Sequence, residues 1–400
     1  MGCILAFVAF LAAALYVAYR SEQASGLRAA VAVAARRWFM FPLMLYAVSH
    51  FALFSFSRIG MTVNPDLKYE TGPRETIRPY PSIDGVCKWD CLWFAKIARE
   101  GYADERTTNF FPLFPLLGRY VHKATGLEIH VALVLVANAA SLGALLTVYR
   151  IFLTLEGEAA AKWGLSLFVA YPFAFFQAAG YPESLMILCS AMAVGLALRG
   201  NHIAAGIVLA IGTLARHLTL LAGASLLAAQ LRQRGSSIRQ FLFNPGILGL
   251  LVPWLFFGGY LYYQHARFGN PLAFYEARGQ WGPLATWGIG TLLNTEEQNE
   301  HIPIMYAYLP FALLVTAGAL ALLTQRQWIE LGAFAVVLLL LLWGMGVWGI
   351  GRYSASCWPA FLPLGVWLSK RPSLQGPVIT VLALFQGLFF YLFSHGFPIL

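Results

Sequence analysis

Long apolar runs recur along the whole sequence and leave few folds open to it. A helix that crosses a membrane needs about 20 mostly apolar residues. Runs that approach or reach this length occupy 3–19, 38–57, 131–149, 163–180, 184–198, 203–216, 218–231, 241–263, 303–324, 328–346, 354–369 and 374–394. Stretches such as AVVLLLLLW lack the alternation of a membrane β-barrel strand. The sequence therefore predicts an all-α polytopic membrane protein with about twelve transmembrane helices.

The composition excludes a soluble globular protein. Of the 400 residues, 59% are apolar and only 11% are charged, so a water-soluble fold would expose too much apolar surface. The net charge of +9 comes from basic residues scattered through short loops, a pattern that indicates membrane orientation rather than nucleic-acid binding. The first run is expected to be a retained span, because no basic residue precedes it and it ends at Arg20 without a cleavage site.

The distribution of basic residues predicts which connections face outward. If 20–37 is cytoplasmic, nearly all of the excess positive charge lies on that side of the membrane. The two long connections, 58–130 and 264–302, then face outward, and the chemistry is expected there. A composition shift near 232–240 divides the chain into an N-terminal catalytic transmembrane module, 1–235, and a C-terminal transmembrane module, 236–400.

The first outward connection contains an unusual polar stretch, YPSIDGVCKWDCLWFAKIAREGY. Apolar residues at helical spacing predict helices at 91–99 and 113–123 that lie at the membrane interface. Asp90 precedes the first of them and is interpreted either as its N-cap or as a functional acid. A disulfide between Cys87 and Cys91 is conceivable on an oxidising side, although a helical turn between them would disfavour it.

Three charged residues, Glu183, Arg216 and Arg352, interrupt apolar runs. A charge at membrane depth costs about 2.5–3.5 kcal/mol on insertion scales, so each arginine is expected to face a cavity or an anion. The guanidinium of Arg352 suits a phosphate, with a snorkelling interface anchor as the alternative. Arg216 could equally pair with Glu183, which follows Tyr181 and Pro182 and is itself a candidate helix cap.

Several strings in the sequence resemble one known family. They are WDCLWFAKIAREGY at 89–102, NFFPLFP at 109–115, AAGYPESL at 178–185, TLARHLTLL at 213–221, FGNPLAFYEARGQWG at 268–282 and GRYSASCWPAFLP at 351–363. In this order they resemble the PIG-V family of GPI mannosyltransferases and its bacterial relatives, which are members of the GT-C class. The chain departs from the family at Pro182, where the family has a serine, so no GPI precursor is inferred as its acceptor.

The resemblance implies a GT-C-like helical bundle with outward interfacial helices in the first long loop. It also implies transfer of a sugar, mannose in the family, from a polyprenyl phosphate donor to a lipid- or glycan-type acceptor. The expected location is the outer face of a bacterial inner membrane, among membrane lipids and without nucleic acid. The sequence has no glycine-rich phosphate loop, Asp-x-Asp pair or metal-ligand cluster, so no nucleotide-sugar donor, cofactor or divalent metal is expected.

The resemblance and the chemistry together assign candidate roles. Asp90 is the candidate general base, since GT-C enzymes keep a catalytic acid in this loop and the neighbouring tryptophans would exclude water. The candidate ligands of the donor phosphate are Arg352, Arg216, Lys88 and Tyr353. The candidates for the acceptor site or its lining are Glu183, Trp89, Trp93, Tyr102, Phe111, Tyr181 and His217. Asp84 and Asp104 lack an aromatic setting and are expected to be solvated.

The predicted reaction needs a single base. Phosphate is a good leaving group, so no second carboxylate has to protonate it, and a single displacement inverts the anomeric carbon. A transporter or lipid flippase is the alternative from another class, but the polar centres lie outside the spans and the two halves look unlike. An acyl- or phosphotransferase would need a histidine or serine nucleophile near the aromatic loop, and none is evident.

Overall fold

The computed structural model describes residues 38–63, 81–234, 244–279, 307–344, 349–397 and 399. Its α-helices are α1 (Met40–Val63), α2 (Pro81–Asp84), α3 (Asp90–Glu100), α4 (Leu113–Thr125), α5 (Ile129–Ala170), α6 (Glu183–Leu198), α7 (His202–Ala215), α8 (Gly223–Arg234), α9 (Ile247–Phe268), α10 (Ala273–Gly279), α11 (Leu309–Ala321), α12 (Ile329–Gly344), α13 (Ile350–Ser354), α14 (Phe361–Ser369) and α15 (Pro372–Ser394). Short 3-10 helices lie at Glu105–Asn109, Ala174–Gln177, His217–Ala222, Leu322–Thr324, Arg326–Trp328 and Trp358–Ala360. No β-strand occurs in these ranges, which confirms the predicted all-α class.

Five helices are long and apolar enough to cross a membrane. They are α1, α5, α9, the segment Arg326–Gly344 that contains α12, and α15. Three shorter apolar helices, Glu183–Leu198, His202–Ala215 and Leu309–Thr324, lie between them in the chain. The chain is thus a multi-pass membrane protein. The predicted first span at 3–19 lies outside the described residues, and the count of about twelve helices stays a prediction.

Two of the predicted spans, 131–149 and 163–180, belong to one long helical stretch, α5. The stretch is broken at Gly157, which has a φ of 78° and a ψ of −178°. Residues with a side chain rarely adopt this backbone, so glycine permits the break. The predicted loop between the two runs is therefore mostly helical, and the second run ends early, at Ala170.

Two other predicted spans are divided in the structure. The span predicted at 218–231 begins as a 3-10 helix, His217–Ala222, before α8. The span predicted at 354–369 is split into α13, a 3-10 turn and α14. Pro359 lies in that turn, and its missing backbone donor favours an interruption over a continuous helix.

The two helices predicted for the first outward connection are present as α3 and α4. Each buries its apolar face against the bundle, through residues that include Leu92, Phe94, Ile97 and Ala98 in α3 and Phe114 and Leu117 in α4. Arg119 of α4 donates from Nη2 to the carbonyl of Arg99 at 3.1 Å and from Nε to the carbonyl of Ala98. The carboxyl end of α3 is therefore fixed by α4. Their position at the membrane interface stays a prediction.

Helices from both predicted modules pack on one another. Helix α9 packs along α7, and α14 packs along α5. The predicted boundary between the modules, at residues 235 and 236, lies outside the described residues. The division into two modules therefore stays a prediction, while the packing brings the late arginine segment of α13 next to the first outward connection.

Candidate active site

Asp90 is the first residue of α3 and follows a strained backbone position. Trp89 has a φ of 52° and a ψ of −115°, and it is the one residue other than glycine with a positive φ in the described ranges. A conformation of this kind costs about 1–3 kcal/mol and persists only where surrounding contacts fix it. Such positions cluster at functional sites, so the contacts around Trp89 bear on the direction of the Asp90 side chain.

The hydroxyl of Tyr181 fixes this turn from both sides. It accepts a hydrogen bond from the backbone N–H of Asp90 at 3.2 Å and donates one to the carbonyl of Lys88 at 2.9 Å. The indole Nε1 of Trp89 donates to the carbonyl of Phe397 at 3.2 Å, which ties the same turn to the chain after α15. Tyr181 was predicted to line the site, and the structure places it directly behind the candidate base.

Cys87 and Cys91 form a disulfide across the turn, with their Cα atoms 5.1 Å apart. The expectation that a helical turn would disfavour this bond was wrong. The helix begins only at Asp90, so Cys87 lies outside it and is free to approach Cys91. Cys189 and Cys357 are free and buried.

Four charged side chains form a continuous cluster beside this turn. Nη1 of Arg352 donates to Oδ2 of Asp90 at 2.6 Å. Nε of Arg352 and Nη1 of Arg216 both donate to Oε1 of Glu183. We call these four residues the charge cluster. Its members come from α3, α6, the residue after α7, and α13, so long-range packing alone assembles it.

The charge cluster is electrically balanced and mostly buried. Its side chains are exposed by 2% for Glu183, 7% for Arg352 and 11% for Arg216, but by 24% for Asp90. Buried ions are retained only when they are paired and hydrogen-bonded, and the cluster meets this condition with two carboxylates and two guanidinium groups. Asp90 is the member that a substrate can reach most readily.

Aromatic rings and a tight turn hold the two arginines in place. The guanidinium carbon of Arg352 lies 4.5 Å from the ring centre of Tyr181, and that of Arg216 lies 4.7 Å from the ring centre of Tyr353. Cation–π contacts of this kind stabilise a desolvated arginine. Gly349, with a φ of 90°, lets the Tyr353 ring approach, since a Cβ there would lie 2.8 Å from that ring.

Neither Asp90 nor Glu183 caps a helix with its side chain. The cap positions are occupied by Trp89 and Pro182, and neither provides a side-chain capping bond. Both cap predictions were wrong, because an arginine from a distant segment engages each carboxylate in a charge-assisted bond, which is stronger than a neutral one. The alternative pairing of Glu183 with Arg216 is present in the structure.

Lys88 faces away from the charge cluster. It is buried, and its Nζ lies 2.6 Å from Oδ1 of Asp84, one helical turn earlier in sequence. Burial lowers the pKa of the Lys88 ammonium, while the charge of Asp84 acts in the opposite direction. The expectation that Asp84 is solvated was therefore wrong, and this ion pair leaves Lys88 without support as a phosphate ligand. Asp104 is solvated, and hydrogen bonds from Arg106 lower its pKa.

An aromatic layer lies next to the charge cluster. The Phe111 ring is 5.1 Å from the ring of His217 and 4.6 Å from that of Tyr260, measured between ring centres. His217 follows Arg216 directly, so the layer begins where the charge cluster ends. Tyr102 packs against Tyr260 at 6.2 Å. Phe111, His217 and Tyr102, predicted as lining residues, thus belong together, and Tyr260 is a member that the sequence did not indicate.

A cavity of about 660 Å³ opens on the far side of this layer. Its walls come from α3, α4, the end of α7 and α9, and they include Ile97, Tyr102, Pro115, Leu116, Arg119, Leu214, Leu255, Phe256, Tyr260 and Tyr263. Most of these side chains are apolar. Leu255 is largely exposed, as is Trp254 beside it, so this part of α9 presents an apolar surface to its surroundings. The cavity suits an apolar chain rather than a polar ligand.

The two tryptophans of the WDCLW string do not act alike. Trp89 forms the strained turn. Trp93 lies one helical turn further along α3, and its ring stacks on that of Phe110 with 6.1 Å between the ring centres. The aromatic rings that contact the guanidinium of Arg352, the partner of Asp90, are those of Tyr181 and Phe176.

In the described part of the chain no group of three or more His, Cys, Asp or Glu side chains could hold a metal ion.

Comparison with known sequences identifies a family match around this site. Residues 75–269 match the family described as Mannosyltransferase (PIG-V). The chain is 27% identical over 297 residues to GPI alpha-1,6-mannosyltransferase 2 of Cricetulus griseus, covering 62% of this chain and 59% of that protein. It is 30% identical over 207 residues to the Rattus norvegicus protein of the same name, covering 47% and 42%. The alignments thus span about half the length of these relatives.

The fold has a solved counterpart. ArnT from Cupriavidus metallidurans, crystallised with undecaprenyl phosphate, aligns with a TM-score of 0.53 and 16% identity over 86% of this chain and 63% of that chain. This likeness confirms the predicted GT-C-like fold. A bacterial branch stays a prediction, since both curated relatives are mammalian. The segment 75–269, which contains Asp90, Glu183 and Arg216, is the part of the chain that matches the mannosyltransferase (PIG-V) family.

Proposed function

We propose that the protein is a membrane glycosyltransferase that moves a sugar, mannose, from a polyprenyl phosphate donor to an acceptor hydroxyl, with Asp90 as general base. The observation that carries the proposal is the position of Asp90, which lies inside the family-matched segment and is the most exposed member of an otherwise buried charge cluster. The name of the curated relatives supports the sugar, and the undecaprenyl phosphate bound to ArnT supports the carrier. The proposed location is the outer face of a bacterial inner membrane.

The carboxylate of Asp90 is arranged as a base needs it. A general base must be held in place and still have an oxygen in reach of the hydroxyl proton. Arg352 engages Oδ2, whereas Oδ1 makes no hydrogen bond with any residue that the structure describes. The ion pair thus orients the carboxylate and leaves Oδ1 to accept the proton.

Arg352 is the proposed ligand of the donor phosphate. Its Nε and Nη1 are engaged by Glu183 and Asp90, while Nη2 has no hydrogen-bond partner in the described ranges. A phosphate oxygen at Nη2 would bring the anomeric carbon of the donor close to Asp90, and such positioning contributes strongly to rate. Tyr353 and Arg216 would border the same phosphate from the other side.

The apolar cavity supports a lipid-linked donor. It lies beyond the aromatic layer of Phe111 and Tyr260, on the side away from the charge cluster. A donor with a charged head group and a hydrocarbon tail matches this spatial order, in which the charge cluster is followed by the aromatic layer and then by the apolar cavity. We assign the cavity to the first part of the polyprenyl chain.

The proposed step is a single displacement. The acceptor oxygen forms a bond to the anomeric carbon, its proton passes to Oδ1 of Asp90, and the bond between that carbon and the phosphate oxygen breaks. The bonding electrons leave with the polyprenyl phosphate, whose charge Arg352 and Arg216 stabilise. The configuration at the anomeric carbon inverts, so a β-linked donor yields an α-linked product.

The test is transfer by purified protein in lipid nanodiscs, with radiolabelled mannosyl phosphoryl undecaprenol and an acceptor extract of membrane lipids and glycans. Asp90→Asn should lower transfer at least about 100-fold, because the amide cannot take the proton. Asp104→Asn is the matched control, since Asp104 is an exposed acid of the same connection, and it should change transfer by less than about twofold.

Three outcomes would contradict the proposal. A wild-type protein that binds the donor but releases no transferred sugar would favour transport without chemistry. A folded Asp90→Asn variant with normal transfer would remove Asp90 as the base. A product that retains the configuration of the donor would exclude the single displacement.

A further inference from the structure

The charge cluster lacks one positive charge for the donor that it is proposed to hold. Asp90 and Glu183 balance Arg216 and Arg352, so the cluster is neutral before any ligand binds. A sugar-bearing phosphodiester brings one negative charge. Placing it beside a neutral, mostly buried cluster would leave that charge uncompensated, which is unfavourable in a site of low polarity. The site therefore requires a further cation that has no carboxylate of its own.

Arg278 of α10 meets this requirement. It is half-buried, and it makes no hydrogen bond or ion pair with any residue of the described ranges. Its neighbour of opposite charge, Glu276, is exposed and accepts a hydrogen bond from Asn270 at 2.8 Å instead. Within the described ranges, Arg278 is thus a cation at the edge of the site whose charge no carboxylate neutralises.

The packing of α10 directs Arg278 toward the charge cluster. Phe274 lies one helical turn before it, and residues four apart share a helix face. The Phe274 ring packs 6.0 Å from His217 and 5.9 Å from Phe111, measured between ring centres. The backbone N–H of Phe274 also donates to Oε1 of the buried Gln264 at 2.7 Å, which fixes α10 on α9. The face that carries Arg278 is therefore turned to the aromatic layer.

Electrostatic contacts agree with this placement. The charge of Arg278 acts on both His217 and Tyr353, as does that of Arg216. Three arginines thus act on Tyr353, and among the residues that the structure describes only Arg278 of the three lacks a carboxylate partner. Nδ1 of His217 is buried and has no hydrogen-bond partner, so a polar atom between the two arginines is also available to a ligand.

We propose that Arg278 is a binding residue for the phosphate anion of the lipid-linked donor, completing with Arg352 and Arg216 a site of net charge +1 that one phosphodiester neutralises. The inference rests on the proposed function for the identity of the donor, but the phosphate site itself is tested separately. Arg352 and Arg216 are both held by carboxylates, and Arg352 orients the base, whereas Arg278 supplies the attraction for the ligand.

The first experiment measures donor dependence of transfer in nanodiscs. Arg278→Ala should raise the KM for mannosyl phosphoryl undecaprenol about 10- to 100-fold, the range expected when a charge-assisted hydrogen bond is lost. Its kcat should change less than about threefold, because the base and the charge cluster remain. Arg278→Lys should recover part of the KM. Arg267→Ala, which removes an exposed arginine at the end of α9, is the control and should leave both constants unchanged.

The second experiment measures binding without turnover. Undecaprenyl phosphate should bind the Arg278→Ala variant more weakly by a similar factor, while undecaprenol, which has no phosphate, should bind both proteins equally. Inorganic phosphate is the third ligand. If it competes at micromolar concentration, the site recognises free phosphate and not the lipid head group.

The outcomes separate this inference from the proposed function. Equal KM values for Arg278→Ala and Arg267→Ala, or equal loss of undecaprenol and undecaprenyl phosphate binding, would overturn the role of Arg278 while transfer by the wild type stands. Weaker undecaprenyl phosphate binding in a protein that transfers no sugar would keep the phosphate site and reject the glycosyltransferase.

Discussion

Two buried glutamates at opposite ends of the helical bundle are paired with arginine in different ways. Glu183 begins α6 and accepts from Arg216 and Arg352, the second of which also binds Asp90. Glu330 begins α12 and pairs with Arg232, 2.5 Å away, near the end of α8. The Glu330 side chain is fully buried, but that of Arg232 is 37% exposed and reaches water.

The difference distinguishes a structural ion pair from a candidate catalytic one. Among the described residues, the Glu330 pair consists of one acid and one base and has no further charged member. The charge cluster is branched and carries a partly exposed acid, Asp90. In the part of the chain that the structure describes, one oxygen of this acid is unengaged and the neighbouring Arg278 has no carboxylate partner.

The largest effect is expected from Glu183→Gln, which tests the difference between the two buried glutamates. The change leaves Arg216 without its carboxylate and Arg352 with Asp90 alone, so we expect a loss of about 3–5 kcal/mol in the free energy of unfolding. Transfer by the folded fraction should also fall, since Arg352 no longer holds Asp90 in place. Thermal unfolding and transfer are to be measured in the same nanodisc preparation. Normal stability would show that Glu183 does not compensate the two arginines.

Glu330→Gln is the matching change at the other end of the bundle. We expect a smaller loss of stability, about 1–3 kcal/mol, because Arg232 can turn to solvent once its partner is neutral. Transfer per folded molecule should stay within about twofold of the wild type. A large fall in transfer at unchanged donor KM would mean that the two ends of the bundle are coupled.

Replacing both Cys87 and Cys91 by serine tests how far the turn before α3 depends on its covalent link. A loop this short gives a stabilisation of about 2 kcal/mol in the chain-entropy account, and the variant should lose about that amount. Reduction of the wild type with dithiothreitol should reproduce the loss, while the same treatment should leave the double variant unchanged. An effect of the reductant on the double variant would show that the loss does not come from this bond.

The smallest expected effect on stability is that of Tyr181→Phe. The change removes one hydroxyl that bonds to both sides of Trp89, which is worth about 1 kcal/mol. The effect on transfer should be larger, a fall of about tenfold in kcat with the donor KM unchanged, because the turn that directs Asp90 loosens. Phe176→Leu, which removes a ring from the other face of Arg352, serves as the comparison. Equal losses in both variants would indicate general packing rather than positioning.

The sequence predicted the members of the site better than their arrangement. Asp90 was identifiable between aromatic residues, and Glu183, Arg216 and Arg352 were identifiable as charges in apolar runs. Their pairing was only partly accessible, because Asp90 and Arg352 are 262 residues apart and meet through helix packing that periodicity does not specify. Local reasoning therefore assigned helix caps where distant arginines take the carboxylates.

Other features that were not predicted do have a recognisable spacing in the sequence. Asp84 and Lys88 have the spacing of an ion pair on one helical turn, and they form one. Arg278 follows Phe274 by the same interval in a string already noted for its family resemblance. By contrast, the positive φ of Trp89 has no sequence signature, since tryptophan is not a residue that favours this region.

The hydrogen bonds from Arg119 to the carboxyl end of α3 have a further consequence. The other end of the helix is held by the disulfide and by Tyr181, so α3 is fixed at both ends. A helix fixed at both ends has little freedom to move toward an arriving molecule. Under the proposed function, the donor and the acceptor would have to fit a carboxylate whose position is already fixed.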